Sequence, residues 1–213
     1  AVKGFAPITL VVLAPSVLVV HPSLPVKSVR ELIAFAKARP NQLLYSSAGN
    51  GSPQHLAGEL LKLMTGASFL HIPYKGTAPS ITDLIGGRVS LSAASVISTM
   101  PHVNAGRLRA LAVISGKRSQ GVPQLPTVAE AGVPGYAVDT WYGLFAPAGT
   151  PNEIIVNLNQ ETARALAQPE AKGKMLSMGL EPVGDSSEHF TAYVRSEVDK
   201  WAKVVRGANI RIN

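Results

Sequence analysis

Apolar and polar positions change period repeatedly along the chain. Residues 8–20 are almost all apolar and break only at Pro15 and Ser16, which predicts two strand pieces with a turn between them. The segment SVRELIAFAKARP then carries helical spacing. Ser28 and Glu31 form a capping-box pair, and Pro40 closes the helix. Residues 43–46 predict a short strand. Ser52 and Pro53 open a helix to Thr65, with Gly66 as its stop. Further on, FLHIPY, RVSLSA and LRALAVIS predict strands, and 77–85 and 95–105 predict helices. The second of these helices forms in spite of Pro101.

After residue 117 the texture changes. A polar loop over 117–126 precedes a short helix at 127–131. An extended run, YAVDTWYGLFA, covers 136–146. Thr150 and Glu153 suggest a second capping box, opening a helix over 151–167. Helices at 170–178 and 187–206 flank a brief strand at 180–183.

Strand–helix alternation predicts an α/β fold with parallel sheets covered on both faces. The extended runs 8–20 and 136–146 bracket the middle block, as expected of a chain that enters a lobe and later leaves it. The expected division is an inner lobe at 17–138 and an outer lobe made of 1–16 and 139–213. The outer lobe has three helices and little strand for them to cover. Ile154, Ile155, Leu158, Leu166, Phe190, Val194, Val198, Trp201 and Val205 all ask for a sheet. Such helices either expose apolar surface or cover it by dimerising or exchanging elements.

Composition narrows the function. The chain has 213 residues, 46% hydrophobic and 15% charged, so its core is ample. Its net charge of +7 attracts small anions, but the basic residues form no dense run, which argues against nucleic acid. No cysteine is present, which excludes disulfides and thiolate-held metals. None of the five histidines has metal-ligand spacing, and no GxSxG, Walker or GxGxxG signature occurs. No cofactor and no enzyme activity are expected.

Three strand-to-helix turns can carry chemistry. In SSAGNGS, 46–52, two glycines allow close backbone approach and the serines and Asn50 supply donors at a helix start. HIPYKGT, 71–77, offers Tyr74 and Lys75. SAASVIS, 92–98, places Ser95 at a helix start. Ordinary turns with a capping serine carry the same residues, so spacing alone leaves both readings open. Trp141 and Tyr142 either line a cleft or pack the return crossing.

The segments LVVHPSLPVKSVRELIAFAKARPNQLLYSSAGNGSPQHLAGELL, HIPYKGTAPSITDLIGGRV, GRLRALAVIS, LPTVAEAGVPGY, WYGLFAPAGTP and EVDKWAKVV occur in that order. Together they resemble the Bug-type solute receptors, the extracytoplasmic binding proteins of tripartite tricarboxylate transporters. The resemblance implies a two-lobe, type II periplasmic-binding-protein-like α/β fold in the periplasm. It implies a small carboxylate ligand held by loop amides, hydroxyls and waters, and membrane transporter subunits or a sensory system as partners. Carried over by position, the ligand-binding residues are Ser47, Ala48, Gly49, Asn50, Gly51, Ser52, Tyr74, Lys75, Gly76, Thr77, Ala94 and Ser95. Two departures from the family pattern stand out. Ala93 and Ala94 occupy positions where the family commonly has an aromatic residue followed by an acid. The family also has an N-terminal segment, with a Pro-Gly-Gly loop that contacts the carboxylate, before AVKGFAP. The chain is accordingly expected to be N-terminally truncated, with an incomplete outer lobe. A second reading is the ligand-sensing effector domain of a transcription regulator.

Overall fold

The computed structural model describes residues 4–210. In chain order its elements are β1 (Phe5–Leu13), β2 (Ser16–Val20), α1 (Val29–Ala38), β3 (Leu43–Ser47) and α2 (Pro53–Thr65). Then come β4 (Phe69–Pro73), α3 (Thr77–Ile85), β5 (Leu91–Ser95), α4 (Val96–Asn104) and β6 (Arg109–Val113). The rest is β7 (Trp141–Pro147), α5 (Asn152–Ala167), α6 (Pro169–Ser177), β8 (Glu181–Pro182) and α7 (Ser187–Gly207). These elements form two compact units. One holds the chain up to Ala14 together with Thr140–Trp201; the other holds Pro15–Asp139 and the chain from Ala202. The stretch 139–213, grouped as one lobe from its sequence, is therefore divided within α7.

The larger unit is built on a five-stranded sheet of order β4-β3-β5-β2-β6. Strand β3 runs parallel to both β4 and β5. Strand β2 runs antiparallel to β5 and β6, so the sheet is mixed rather than parallel as expected from the sequence. The reason lies in how the chain enters. Ser16 starts β2 opposite Ser95, the last residue of β5, and from there β2 can only run back along its neighbour. All five β2 residues are buried. Val17 and Val19 pack with Leu84, Val89, Val96 and Val113. Leu18 and Val20, which alternate to the other face, are buried too, so both faces of the sheet are covered.

Local signals set the helix ends. Ser28 Oγ accepts the Glu31 N–H at 3.2 Å, and the Glu31 carboxylate accepts the Lys27 N–H at 2.7 Å. Gly66 ends α2 at φ 69°, a left-handed conformation that glycine adopts without a Cβ penalty. Three expectations fail. Residues 127–131 make a single turn, although Thr127 and Glu130 cap each other; Gly132 and Pro134 follow at once and stop propagation. Strand β7 starts only at Trp141, because Tyr136 is buried and ties its hydroxyl to the Ala57 carbonyl at 3.0 Å. The Thr150–Glu153 capping box does not form; Thr150 Oγ1 donates to the Pro147 carbonyl at 2.8 Å instead.

The smaller unit has the three-stranded antiparallel sheet β7-β1-β8. Ile8, Ala146 and Ile155 form one apolar cluster; Leu10, Phe190 and Val194 form another, with Trp141 and Phe145 against it. Trp141 thus packs against α7 residues, while Tyr142 is exposed. Of the helical positions that asked for a sheet, Ile155, Leu166, Phe190 and Val194 are buried. Ile154, Leu158 and Val198 remain 48%, 38% and 46% exposed.

Gly143 on β7 marks the tightest contact of this unit: a Cβ there would lie 2.1 Å from Phe190 Cζ. Phe190 has no free space to yield, being fully buried. Gly143→Ala is therefore expected to cost about 1–3 kcal/mol in urea unfolding. An unchanged midpoint would contradict this packing.

Candidate functional site

Because β3, β4 and β5 are parallel, their carboxyl ends lie at one edge of the sheet, where ligands bind in open α/β folds. The turns after β3 and β4 are joined there. Tyr74 N–H donates to the Ser47 carbonyl at 3.0 Å and Gly76 N–H to the Ala48 carbonyl at 3.1 Å. These bonds carry the β3–β4 ladder beyond the strands. Gly49, at φ 136°, passes so close that a Cβ would sit 3.3 Å from the Tyr74 carbonyl oxygen.

The 48–52 turn satisfies most of its own donors. Gly49 N–H donates to Ser47 Oγ at 3.1 Å, Gly51 N–H to His55 Nδ1 at 3.1 Å, and Ser52 N–H to the Gly49 carbonyl at 3.2 Å. Ser52 Oγ accepts the His55 N–H at 3.2 Å and so caps α2. Ser46 and Ser47 are fully buried. Ser46 is held by the hydroxyls of Ser80 and Ser92, both at 2.8 Å. Ser47 Oγ lies 2.6 Å from His71 Nε2.

The next two helices start differently. Helix α3 begins after Gly76, which has no side chain to cap it. Helix α4 begins after Ser95, whose hydroxyl pairs with Ser98 Oγ at 2.7 Å rather than capping the helix. Val96 N–H is taken by the Pro15 carbonyl at 3.1 Å. Thr77, Ala78, Ile81, Ser95, Ser98 and His102 line a groove of about 500 Å³ between these two helices. His102 Nδ1 is buried and has no hydrogen-bond partner. First-turn N–H groups without side-chain acceptors, at the positive ends of two helix dipoles, favour an anion.

The residues singled out from the sequence therefore divide into groups. Asn50 and Lys75 are exposed. Ala48, Gly49, Gly51, Ser52, Tyr74, Gly76, Thr77 and Ser95 are partly exposed along the edge. Ser47 and Ala94 are buried, and the Ala94 methyl belongs to the apolar core. Tyr74 donates its hydroxyl to Asp83 at 2.7 Å, and Asp83 also holds Arg88 at 2.6 Å. The Tyr74 hydrogen bond, and then Arg88, hold the Asp83 carboxyl below its ordinary range. Burial, then the bond to Asp83, raises the Tyr74 phenol. Ala78 and His102 were not singled out from the sequence, and Ser98 entered only as the last residue of the SAASVIS turn. The available signal was a helix start at Gly76 with no capping side chain, and a second serine three residues after Ser95. Among the described residues no group of three or more His, Asp or Glu could hold a metal.

The family model "Tripartite tricarboxylate transporter family receptor" matches residues 1–210. The chain belongs to this family. Its members are receptors, not enzymes. A UPF0065 protein from the tcbD-tcbE intergenic region of Pseudomonas sp. is 37% identical over 95% of the chain and 61% of its own length. BugT of Bordetella pertussis is 36% identical over 99% of the chain and 64% of its own length. The chain thus spans less than two thirds of these relatives. Among solved structures, an R. palustris protein with adipate superimposes with TM-score 0.82 at 41% identity, over 98% of this chain and 70% of that one. MatC from Rhodopseudomonas palustris, with bound malate, gives TM-score 0.76 at 29% identity, over 94% and 69%. The periplasmic binding protein BugD gives 0.78 at 33% identity, over 97% and 70%. The fold class is that of the two-lobed α/β periplasmic binding proteins. Among the described residues no helix is long and apolar enough to cross a membrane.

Ser52 is both an edge residue and the cap of α2, and its removal leaves the His55 N–H without its acceptor. Ser52→Ala should lower stability by about 1 kcal/mol, and Ser52→Gly by only a few tenths. Equal losses in thermal unfolding would show that the cap is not what Ser52 contributes.

Proposed function

We propose that this chain forms the ligand-holding part of a periplasmic receptor for a small carboxylic acid. In this reading it delivers that acid to a tripartite tricarboxylate-type transporter or to a sensory system. The observation that carries the proposal is the pair of helix starts, α3 and α4, that lack side-chain caps and line one groove. One ligand carboxylate accepts hydrogen bonds from first-turn amides there, with the Ser95 and Ser98 hydroxyls beside it. The turns at 47–52 and 74–77 form the surrounding wall. Two related proteins were solved with dicarboxylic acids, adipate and malate, which supports the same ligand class here. The groove-lining residues include no Lys or Arg; Arg88 is engaged by Asp83, and Lys75 lies exposed on the surrounding wall. Recognition then rests on amide and hydroxyl donors and on shape.

Thermal shift and calorimetry against adipate, malate and monocarboxylates test this reading. A bound acid at about 100 times its Kd adds about 2.7 kcal/mol of stability. No shift with any acid sinks the proposal. A second arm locates the site. Ala78 is exposed in the first turn of α3. Ala78→Asp puts an acid where the dipole tolerates or welcomes it, worth about 0.3–1 kcal/mol to the helix. The same charge repels a ligand carboxylate. Stability should hold or rise while acid affinity falls by roughly tenfold or more, the equivalent of ~1.4 kcal/mol. Unchanged affinity would remove the α3 start from the site.

A further inference from the structure

His55 occupies the third position of α2, where a capping box usually has Glu or Gln reaching back to the backbone before the helix. It makes a related reciprocal contact one residue farther back, at Gly51 instead of the capping Ser52. Its N–H donates to Ser52 Oγ, and its ring Nδ1 accepts the Gly51 N–H at 3.1 Å. A carboxylate in this place accepts at any neutral pH. An imidazole accepts through Nδ1 only while that nitrogen carries no proton. The His55 ring also lies flat on His71, with centroids 3.8 Å apart and planes 7° apart. His71 in turn reaches Ser47 Oγ, at the start of the same turn. Two stacked imidazoles therefore hold both ends of residues 47–51.

We propose that His55 is a positioning residue that latches the 48–52 turn through Gly51, and that protonation of the stacked His55–His71 pair releases the latch. A proton on His55 Nδ1 sets one N–H against the Gly51 N–H. A proton on either ring also places a cation against its partner's face. Ser47 can accept from a protonated His71 by rotating its hydroxyl toward the Gly49 carbonyl, 3.1 Å away, so the critical contact is at His55.

The charged and titratable neighbours are few. From α2, Glu59 lies 3.8 Å from His55 Nε2, and Lys62 holds the same Glu59 oxygen at 2.9 Å. From β3, the Tyr45 ring is 6.4 Å from His71, and burial keeps that phenol neutral. Glu59 favours a charged His55, but burial outweighs it and lowers the ring below its ordinary value, with Lys62 adding to the fall. Burial, then His55 and Lys62, lower His71 to about 4. Below about pH 6.5 a released turn binds more protons than the latched one. The latch is thus fully present above that pH and is lost as pH falls through the lowered His55 value. Coupling of this release to ligand retention rests on the carboxylate-receptor reading above.

Nuclear magnetic resonance on the labelled chain, without ligand, tests the latch. Between about pH 7.5 and 4.5 the Gly51 amide signal should move together with the His55 ring titration. In His55→Asn the amide oxygen replaces Nδ1 as acceptor and cannot titrate, so Gly51 should keep its latched position throughout. A Gly51 signal that ignores the His55 titration, or a His55→Asn profile like the wild type, overturns the proposal. His55→Asn also removes the charge that His55 sets against His71, so the His71 titration should move upward in that variant. An unmoved His71 titration overturns the pairing. Adipate affinity is then compared in wild type and His55→Asn across the same range, so that protonation of adipate itself cancels. A steeper fall in the wild type, by roughly tenfold per unit separating the latched and released ring pKa values, supports coupling to the ligand; equal falls overturn it. If adipate and malate bind neither protein at neutral pH, the receptor reading fails while the Gly51 titration still decides the latch.

Discussion

Parallel pairing of β3 with both β4 and β5 brings three strand ends to one edge of a sheet, and each is followed by a helix after a short turn or none. The chain has little length there. Strand β5 passes into α4 with no intervening residue, and β4 reaches α3 across Tyr74–Gly76. Short turns leave few side chains to cap the helices they feed. What decides the chemistry of this edge is how each helix start finds acceptors for its first N–H groups. Helix α2 finds them in Ser52 and stays closed. Helices α3 and α4 have no such side-chain acceptor.

Strand β2 fixes the other border of this edge. It lies between β5 and β6, buried along its whole length, and starts beside the last residue of β5. Pro15, just before it, gives its carbonyl to Val96 at the start of α4. The segment by which the chain enters the larger unit is therefore hydrogen-bonded to one of the two uncapped helices. A shift in that segment would be felt at the α4 start directly, through a backbone bond.

Much of this was legible in the sequence, and what was missed has definite causes. Ser52, Pro53 and Gly66 mark the ends of α2 because each has one dominant local role: cap, first turn and left-handed stop. The direction of β2 was not legible. A strand buried on both faces loses its alternation, and SVLVV reads the same in either sense. The SSAGNGS turn stayed open to two readings for a different reason. Glycines and serines suit a loop that wraps an anion and equally a loop that wraps itself. The deciding residue, His55, lies outside the turn and takes the Gly51 donor from within the helix. The open starts of α3 and α4 were visible only as something lacking. Gly76 offers no hydroxyl, and the Ser95 hydroxyl is drawn away by Ser98. Thr127 and Glu130 show the converse: a formed capping box cannot extend a helix into Gly132 and Pro134.

Magnitudes limit what such a site can do. A helix dipole contributes about 0.3–1 kcal/mol to an adjacent charge, so two of them alone hold a carboxylate only weakly. Charge-assisted hydrogen bonds to individual amides and hydroxyls must supply the rest. Those bonds depend on tenths of an ångström, which places the burden on the backbone around the groove. The Tyr74–Ser47 and Gly76–Ala48 bonds make the wall at α3 continuous with the 48–52 turn. A turn that is held by imidazoles rather than by a carboxylate is thereby linked to the positions of the donors at α3. The net charge of +7 acts at longer range, raising the encounter rate with anions without selecting among them. On the proposed reading, selection falls to the edge itself, where a well-placed donor left unpaired by the wrong ligand costs more than the right ligand gains from any single contact.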